Sequence, residues 1–303
     1  MSSVDQSPTS VSETSVLAPA VSDTAAPLLR VTNLRVSTGT ADLVRGVSLE
    51  VHRRGSLGIV GESGSGKSLT CRSILGILPP GLTVADGEIS FDGISLTDLS
   101  YNDWLPLRGN RIAAVFQDPS SYLNPSISVG KQLVEVLRVK SGLRRRAAYT
   151  RAIELFVSMG LRNPEVVFWQ YPFELSGGML QRVLIAIALS GDPDLLIADE
   201  ATTALDVTVQ AEVLDVLSDL KQSRDLALIL VSHDLAVVAQ VCDSVIVMKD
   251  GEIVEAGPTS EVLRNPQHPY TQLLVKNHAR YGIEKYLDDD LVVDLPEAVF
   301  ADV

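Results

Sequence analysis

Two kinds of apolar spacing alternate along the chain. Unbroken apolar runs at residues 57–60, 195–198 and 226–231 have the length of strands buried on both faces. Between them lie longer stretches where apolar residues return every three or four positions, as on a helix with one buried side. Residues 29–31 and 34–36 read as short strands, and 44–51 as another. The run at 57–60 enters a glycine-rich turn, and a helix is predicted over 67–78, stopped by Pro79, Pro80 and Gly81. Strands are predicted at 87–91, with an Asp-Gly turn after it, and at 112–116. From 128 to 161 the pattern is helical, punctuated by Gly142 and Gly160, and another helix runs on from Ser176 to 188. A helix at 207–221 precedes the last buried run, and 245–248 with 252–255 make a hairpin across Lys249, Asp250 and Gly251. Strands alternating with helices predict an α/β fold around a mostly parallel sheet, covered on both faces.

Composition narrows the class. With 303 residues, 46% of them hydrophobic, the chain supports one large α/β domain with attachments, or two small domains. A net charge of −13 argues against a dedicated nucleic-acid binder, which needs a clustered Lys/Arg surplus. Arg144, Arg145 and Arg146 form a local basic run, read as a solvated helix face. Cys71 and Cys242 are far apart and lack metal-ligand spacing, which points to a reduced, cytosolic protein. No apolar stretch is long enough to span a bilayer, and the N-terminus lacks a signal-peptide pattern, so a membrane role must come through partners. Residues 1–27 are rich in Ser, Thr, Ala and Pro and are expected to be a disordered tail. The last twenty or so residues, including Asp288, Asp289 and Asp290, are expected to be a loosely held acidic tail.

The glycine-rich turn carries the first candidate chemistry. Gly61-Glu62-Ser63-Gly64-Ser65-Gly66-Lys67-Ser68 matches the phosphate-loop pattern in full, after a strand and before a helix. Glycines let backbone N–H groups curl around phosphate oxygens, and the helix N-terminus adds partial positive charge. Gly61, Ser63, Gly64, Ser65, Gly66, Lys67, Ser68 and Leu69 are the predicted nucleotide-binding residues, with Lys67 on the β- and γ-phosphates and Ser68 on Mg²⁺. The motif alone does not separate kinases, GTPases and motors. A second apolar run ends in Asp199 and Glu200, at the end of a strand where open α/β sheets bind ligands. Asp199 is the predicted metal ligand and Glu200 the general base for an attacking water. The competing reading, a pair of acids capping the next helix, is disfavoured by the phosphate loop upstream.

Leu175-Ser176-Gly177-Gly178-Met179-Leu180-Gln181-Arg182 resembles the signature sequence of ABC ATPases. The resemblance covers about residues 28–270, with the motifs in the family's order. It implies a P-loop NTPase fold of ABC type, with an antiparallel β subdomain, a helical signature subdomain at about 128–188 and a short C-terminal extension over 259–303 beyond an ATPase domain at 28–258. It also implies that Ser176, Gly177, Gly178 and Gln181 bind the γ-phosphate of ATP held by another subunit. Gln117 resembles the glutamine that senses Mg²⁺ and the attacking water, Asp206 the aspartate at the dimer interface, and His233 the switch histidine on the γ-phosphate. Two departures stand out. No aromatic residue lies in Val36-Ser37-Thr38-Gly39-Thr40 to stack on adenine, which leaves Leu43 as an aliphatic substitute, and Ala201 follows Glu200 where the family commonly has proline.

A finer resemblance is to the ATPases of oligopeptide, dipeptide and nickel importers. It rests on Phe116-Gln117-Asp118-Pro119, Leu123-Asn124-Pro125, the run from Ala198 through Thr208, and Asn265-Pro266-Gln267-His268-Pro269-Tyr270-Thr271. It implies the first of two unlike, paired ATPases, joined to two transmembrane permease subunits and an extracytoplasmic solute-binding protein. The chain would lie peripherally on the cytoplasmic face of the cell membrane. Peptides are the expected solute, with nickel chelates, opines and glycosides behind them. ATP and Mg²⁺ are the implied ligands. No iron–sulfur cluster is expected, because no cysteine follows Cys242. A soluble exporter subunit is the nearest rival. A DNA-repair or chromosome ATPase is disfavoured by the charge and by the lack of long heptad stretches or zinc cysteines.

Overall fold

A computed structural model of the chain describes residues 26–201, 206–223 and 225–279. Both expected tails lie outside these residues, apart from Ala26 and Pro27, and so do Ala204 and Leu205 of the segment before Asp206. In chain order the elements are β1 (Leu29–Ser37), β2 (Asp42–Val51), β3 (Ser56–Val60), α1 (Lys67–Ile74), β4 (Thr83–Phe91), β5 (Ile94–Ser95), α2 (Tyr101–Trp104) and β6 (Ile112–Val115). Next come α3 (Val129–Ser141), α4 (Arg145–Ser158), α5 (Pro164–Trp169), α6 (Gly177–Ala188), β7 (Leu195–Asp199) and α7 (Val207–Ser223). The chain continues through β8 (Ala227–Ser232), α8 (Leu235–Val241), β9 (Ser244–Lys249), β10 (Glu252–Pro258), α9 (Thr259–Arg264) and α10 (Pro269–Ala279).

Two sheets form. The larger has the order β10-β9-β3-β8-β7-β6, parallel except for the antiparallel edge strand β10. The smaller, β2-β1-β4-β5, is antiparallel. Side chains of the parallel strands sort by the two-residue period. Leu196 and Ala198, Leu228 and Leu230, Val245 and Val247 face a core shared with α3, α4, α6, α7 and α8. Leu195 and Ile197, Ile229 and Val231, Ile246 and Met248 face a second core shared with α1 and the antiparallel sheet. Both faces of the sheet are therefore covered, which is why its strands read as unbroken apolar runs rather than alternating ones.

Two local details show how the structure departs from the sequence expectations. The two short strands expected at 29–31 and 34–36 are one strand, β1, with an irregular register between Val31 and Leu34 where Asn33 takes a φ of 51°. The first helix ends well before the prolines. Gly76 is left-handed, its N–H bonds Ser73 O at 3.0 Å, and Ile77 N bonds Arg72 O at 2.9 Å. This paired closure satisfies the last carbonyls of α1 and turns the chain before Pro79 is reached.

Candidate nucleotide site

The parallel strands end along one edge. Val60 pairs with Ser232, Val231 with Asp199, and Ala198 with Val115. The residues that follow these ends, Gly61, His233, Glu200 and Gln117, are thereby placed side by side although they lie far apart in sequence. This is the edge where open α/β sheets bind ligands.

Gly61 has no Cβ for a steric reason, since one would overlap the carbonyl oxygen of Met248. Gly66, left-handed, is the N-cap of α1, and the helix begins without a side-chain cap. The amides of Lys67, Ser68 and Leu69 have no carbonyl one turn back to bond, and they open onto the turn as an anion-binding end. Ser63 and Gly64 are exposed, whereas Ser65 is buried and its hydroxyl has no partner. Lys67 is only 4% exposed. Its ammonium donates to Gly61 O at 2.7 Å and Glu62 O at 2.9 Å. Burial holds its pKa below the ordinary lysine value, and the nearby Glu200 and Asp199 carboxylates oppose that shift.

One bond ties the phosphate loop to the acidic strand end: the Ser68 hydroxyl donates to Asp199 Oδ1 at 2.9 Å. It spans the width of β8, which lies between β3 and β7. Asp199 is buried, and desolvation raises its pKa while the Ser68 bond and the charges of Arg72 and Lys67 oppose the rise. A hydroxyl and a carboxylate at this separation form a hard-oxygen pair of the kind Mg²⁺ takes, with phosphates and water completing its shell. Among the described residues no group of three or more His, Cys, Asp or Glu side chains is placed to hold a metal. A metal here thus needs the substrate's oxygens, which suits Mg²⁺ with a nucleotide.

Glu200 is half-buried and left-handed, with a φ of 51°, and its N–H bonds Val231 O at 3.1 Å. A non-glycine residue in this region stores strain of order 1–3 kcal/mol, a feature that clusters at active sites. His233 is exposed on the turn from β8 to α8. Asp234 fixes that turn: its N–H bonds Ser232 Oγ at 2.9 Å and its carboxylate accepts from Ala236 N at 2.8 Å. Gln117 is also exposed, just past β6. On its far side Asp118 caps a short helical turn by accepting from Ser120 N at 3.1 Å, and Phe116 stacks on Tyr122 with centroids 5.5 Å apart.

The signature residues lie elsewhere. Ser176 caps α6, its hydroxyl accepting from Met179 N at 3.3 Å. Gly177 is exposed, but Gly178 is buried, and a Cβ there would overlap the Val209 side chain of α7. Gly178 thus serves helix packing as well as any anion. Gln181, one turn into α6, is 1% exposed, and its Nε2 has no hydrogen-bond partner. Asp206 is exposed and caps α7 through Val209 N at 3.0 Å. Among the described residues no hydrogen bond joins Ser176, Gly177, Gly178 or Asp206 to the phosphate loop of the same chain.

Two further residues lie beside the phosphate loop, and only the first, Leu43, was named for this site from the sequence. Leu43, 38% exposed, lies on β2 beside Gly66, and Arg45 N bonds Gly251 O while Gly251 N bonds Ser65 O. Tyr270 Oη accepts from the N–H of Glu62 at 2.9 Å. Tyr270 stood within a family-like segment, but nothing in the sequence linked that segment to the phosphate loop.

Comparison with known proteins matches this geometry. A family model described as "ABC transporter" matches residues 44–203. Solved ATP-binding cassettes share the fold. A dimeric post-hydrolysis cassette bound to ADP and Pi superposes with a TM-score of 0.68 at 26% identity, covering 76% of this chain and 98% of that one. CbiO1 of Clostridium perfringens, part of an ABC transporter complex, gives 0.70 at 27% identity, covering 86% and 97%. The chain belongs to the ABC transporter family, as an ATP-binding and ATP-hydrolysing subunit.

Its particular relatives form a narrower group. A model described as "Oligopeptide/dipeptide transporter, C-terminal region" matches residues 254–291. The oligopeptide transport ATP-binding protein OppD of Bacillus subtilis is 46% identical over 250 residues, covering 80% of this chain and 70% of its own length. The dipeptide transport ATP-binding protein DppD of Lactococcus lactis is 43% identical, covering 80% and 71%. The ATP-binding protein CntD of a metal-staphylopine import system in Staphylococcus aureus is 43% identical, covering 82% and 92%.

Proposed function

We propose that the chain is the ATPase of a peptide-type importer, acting opposite a second, unlike ATPase beneath two permease subunits served by an extracytoplasmic solute-binding protein. The observation that carries the catalytic part is the Ser68–Asp199 bond of 2.9 Å, which brings the phosphate loop and the Asp199-Glu200 strand end into one site. Import of peptides or similar small solutes rests on the match at residues 254–291 and on the relatives' names. No helix among the described residues is long and apolar enough to cross a membrane. The chain then works peripherally, on the cytoplasmic face. The ATPase unit spans 28–258, with its helical subdomain at about 128–188 and the extension from 259.

In this reading Lys67 and the first amides of α1 bind the β- and γ-phosphates. Ser68 and Asp199, with Gln117 nearby, would hold Mg²⁺, which would neutralise charge between the two phosphates. Glu200 accepts a proton from the attacking water, and His233 contacts the γ-phosphate. Ser176, Gly177 and Gly178 face the nucleotide held by the second ATPase. An apolar cleft of about 260 Å³ reaches Phe116, the residue before Gln117, and is lined in part by Leu75, Ile77, Ala114, Val136 and Ile187. In this reading it would receive a permease segment.

The test is transport itself. The assembled transporter in vesicles should take up peptide only with ATP. Glu200→Gln should lower turnover by about 10²–10⁴-fold while ATP affinity is kept, since the amide preserves shape but is no base. Turnover within about threefold of wild type would remove Glu200 from the role of base.

A further inference from the structure

We propose that Tyr270 is a positioning residue for the phosphate loop, so that the affinity for ATP is set partly from the C-terminal segment. The proposal rests on the ATPase reading above and deepens it.

The peptide unit between Gly61 and Glu62 is held from both sides. Its N–H donates to Tyr270 Oη at 2.9 Å, and its carbonyl accepts from Lys67 Nζ at 2.7 Å. A peptide plane is rigid and moves chiefly by rotating about its long axis. Pinning its two polar ends stops that rotation. The same plane therefore fixes where the Lys67 ammonium rests before nucleotide arrives, because the second Lys67 bond, to Glu62 O at 2.9 Å, is on the next peptide of the same turn.

The phenol is well placed for this work. Tyr270 is 6% exposed and packs in the core that includes Leu235 and Val247. Lys249 Nζ lies 5.2 Å from its ring centroid. Its backbone is set by a short relay from β10. The Glu255 carboxylate accepts from Gln267 N at 2.8 Å and His268 N at 3.0 Å, and Tyr270 N donates to His268 Nδ1 at 3.2 Å. Among the described residues, this hydroxyl is the hydrogen-bonding contact between α10 and the phosphate loop. Removing it strands a backbone donor in a loop that must hold its shape. Such a loss commonly costs about five- to tenfold in an equilibrium constant.

The experiment uses the full transporter. Tyr270→Phe keeps the ring and deletes only the acceptor. Its KM for ATP should rise about five- to tenfold, with kcat at saturating ATP within about twofold of wild type. Hydrogen exchange should quicken in a peptide covering Glu62 and stay unchanged across α10. Thr271→Val is the control: its buried hydroxyl makes no hydrogen bond to the loop or elsewhere, so KM should not move. An unchanged KM in Tyr270→Phe overturns the proposal. An equal rise in Thr271→Val, or faster exchange throughout α10, also overturns it, because the effect is then general loosening. A wild-type transporter that hydrolyses no ATP would instead overturn the ATPase reading, and this proposal with it.

Discussion

Asp199 shows how the site's demands oppose stability at a single residue. Its carboxyl is held above the usual carboxylate range, first by burial. A group whose pKa rises on folding binds its proton more tightly in the folded chain than in the unfolded one. Its contribution to stability therefore falls as pH climbs from the ordinary aspartate value near 4 through the raised value, and stays lowered at neutral pH. Asp199→Asn should accordingly raise the neutral-pH Tm of the nucleotide-free chain and flatten its loss of stability above about pH 4. Binding of ATP with Mg²⁺ should weaken at least about tenfold. Melting curves at several pH values, beside a nucleotide titration, check both halves. A variant that melts below wild type at neutral pH would show that Asp199 stabilises the empty fold. The two acids were legible from their strand-end position. The bond from Ser68 was not, because it depends on β8 inserting between β3 and β7 from a distant part of the chain.

Packing of α6 on α7 decides what the signature glycines are for. A Cβ at Gly178 would overlap Val209, so the two helices approach only because that position is bare. Gly178→Ala should cost about 1–3 kcal/mol by overpacking and lower Tm by several degrees. Adding Val209→Ala should recover most of that loss, in a double-mutant cycle followed by thermal unfolding. If Gly178→Ala melts with wild type, the glycine has no packing role. At this scale the sequence was informative where its signal was local. Buried strands, the phosphate loop and the long helix α7 could be read from runs and periods a few residues wide. The short elements α2, α5, α8 and α9 went unread, because a helix of one or two turns has too few positions to show a period. The end of α1 was misplaced because glycine closure at Gly76 acted before the prolines did. The burial of Gln181 was not legible, because a signature pattern does not say which face of α6 is buried.

For the whole molecule, the separation of signature from phosphate loop bears on the proposed assembly. Ser176 and Gly177 cap a helix in the helical layer, while Lys67 and Glu200 sit at the sheet edge. In the proposed reading a composite site draws on both, and two ATPases arranged head to tail would supply them. Ser176→Arg should then damage the site whose phosphate loop lies on the second ATPase, by crowding the amides that meet the γ-phosphate. Glu200→Gln should damage the other. Making each change alone in the purified transporter, and asking which bound nucleotide stays unhydrolysed, tests the arrangement. A fully active transporter built from this chain as its sole ATPase would refute the unlike pair.

The sheet order also sets a timetable. β3, whose end opens the phosphate loop, lies between β8 and β9, and all five of its residues are buried. A ribosome completes β3 early and reaches its first partner strand only after Val60 has waited for Ser232. At ordinary synthesis rates that delay is on the order of ten to thirty seconds. Throughout it, a mostly apolar strand has both edges unpaired, the condition in which nascent chains pair wrongly or recruit chaperones. Nucleotide binding is thus a late property of the growing chain, acquired only after most of it has left the ribosome.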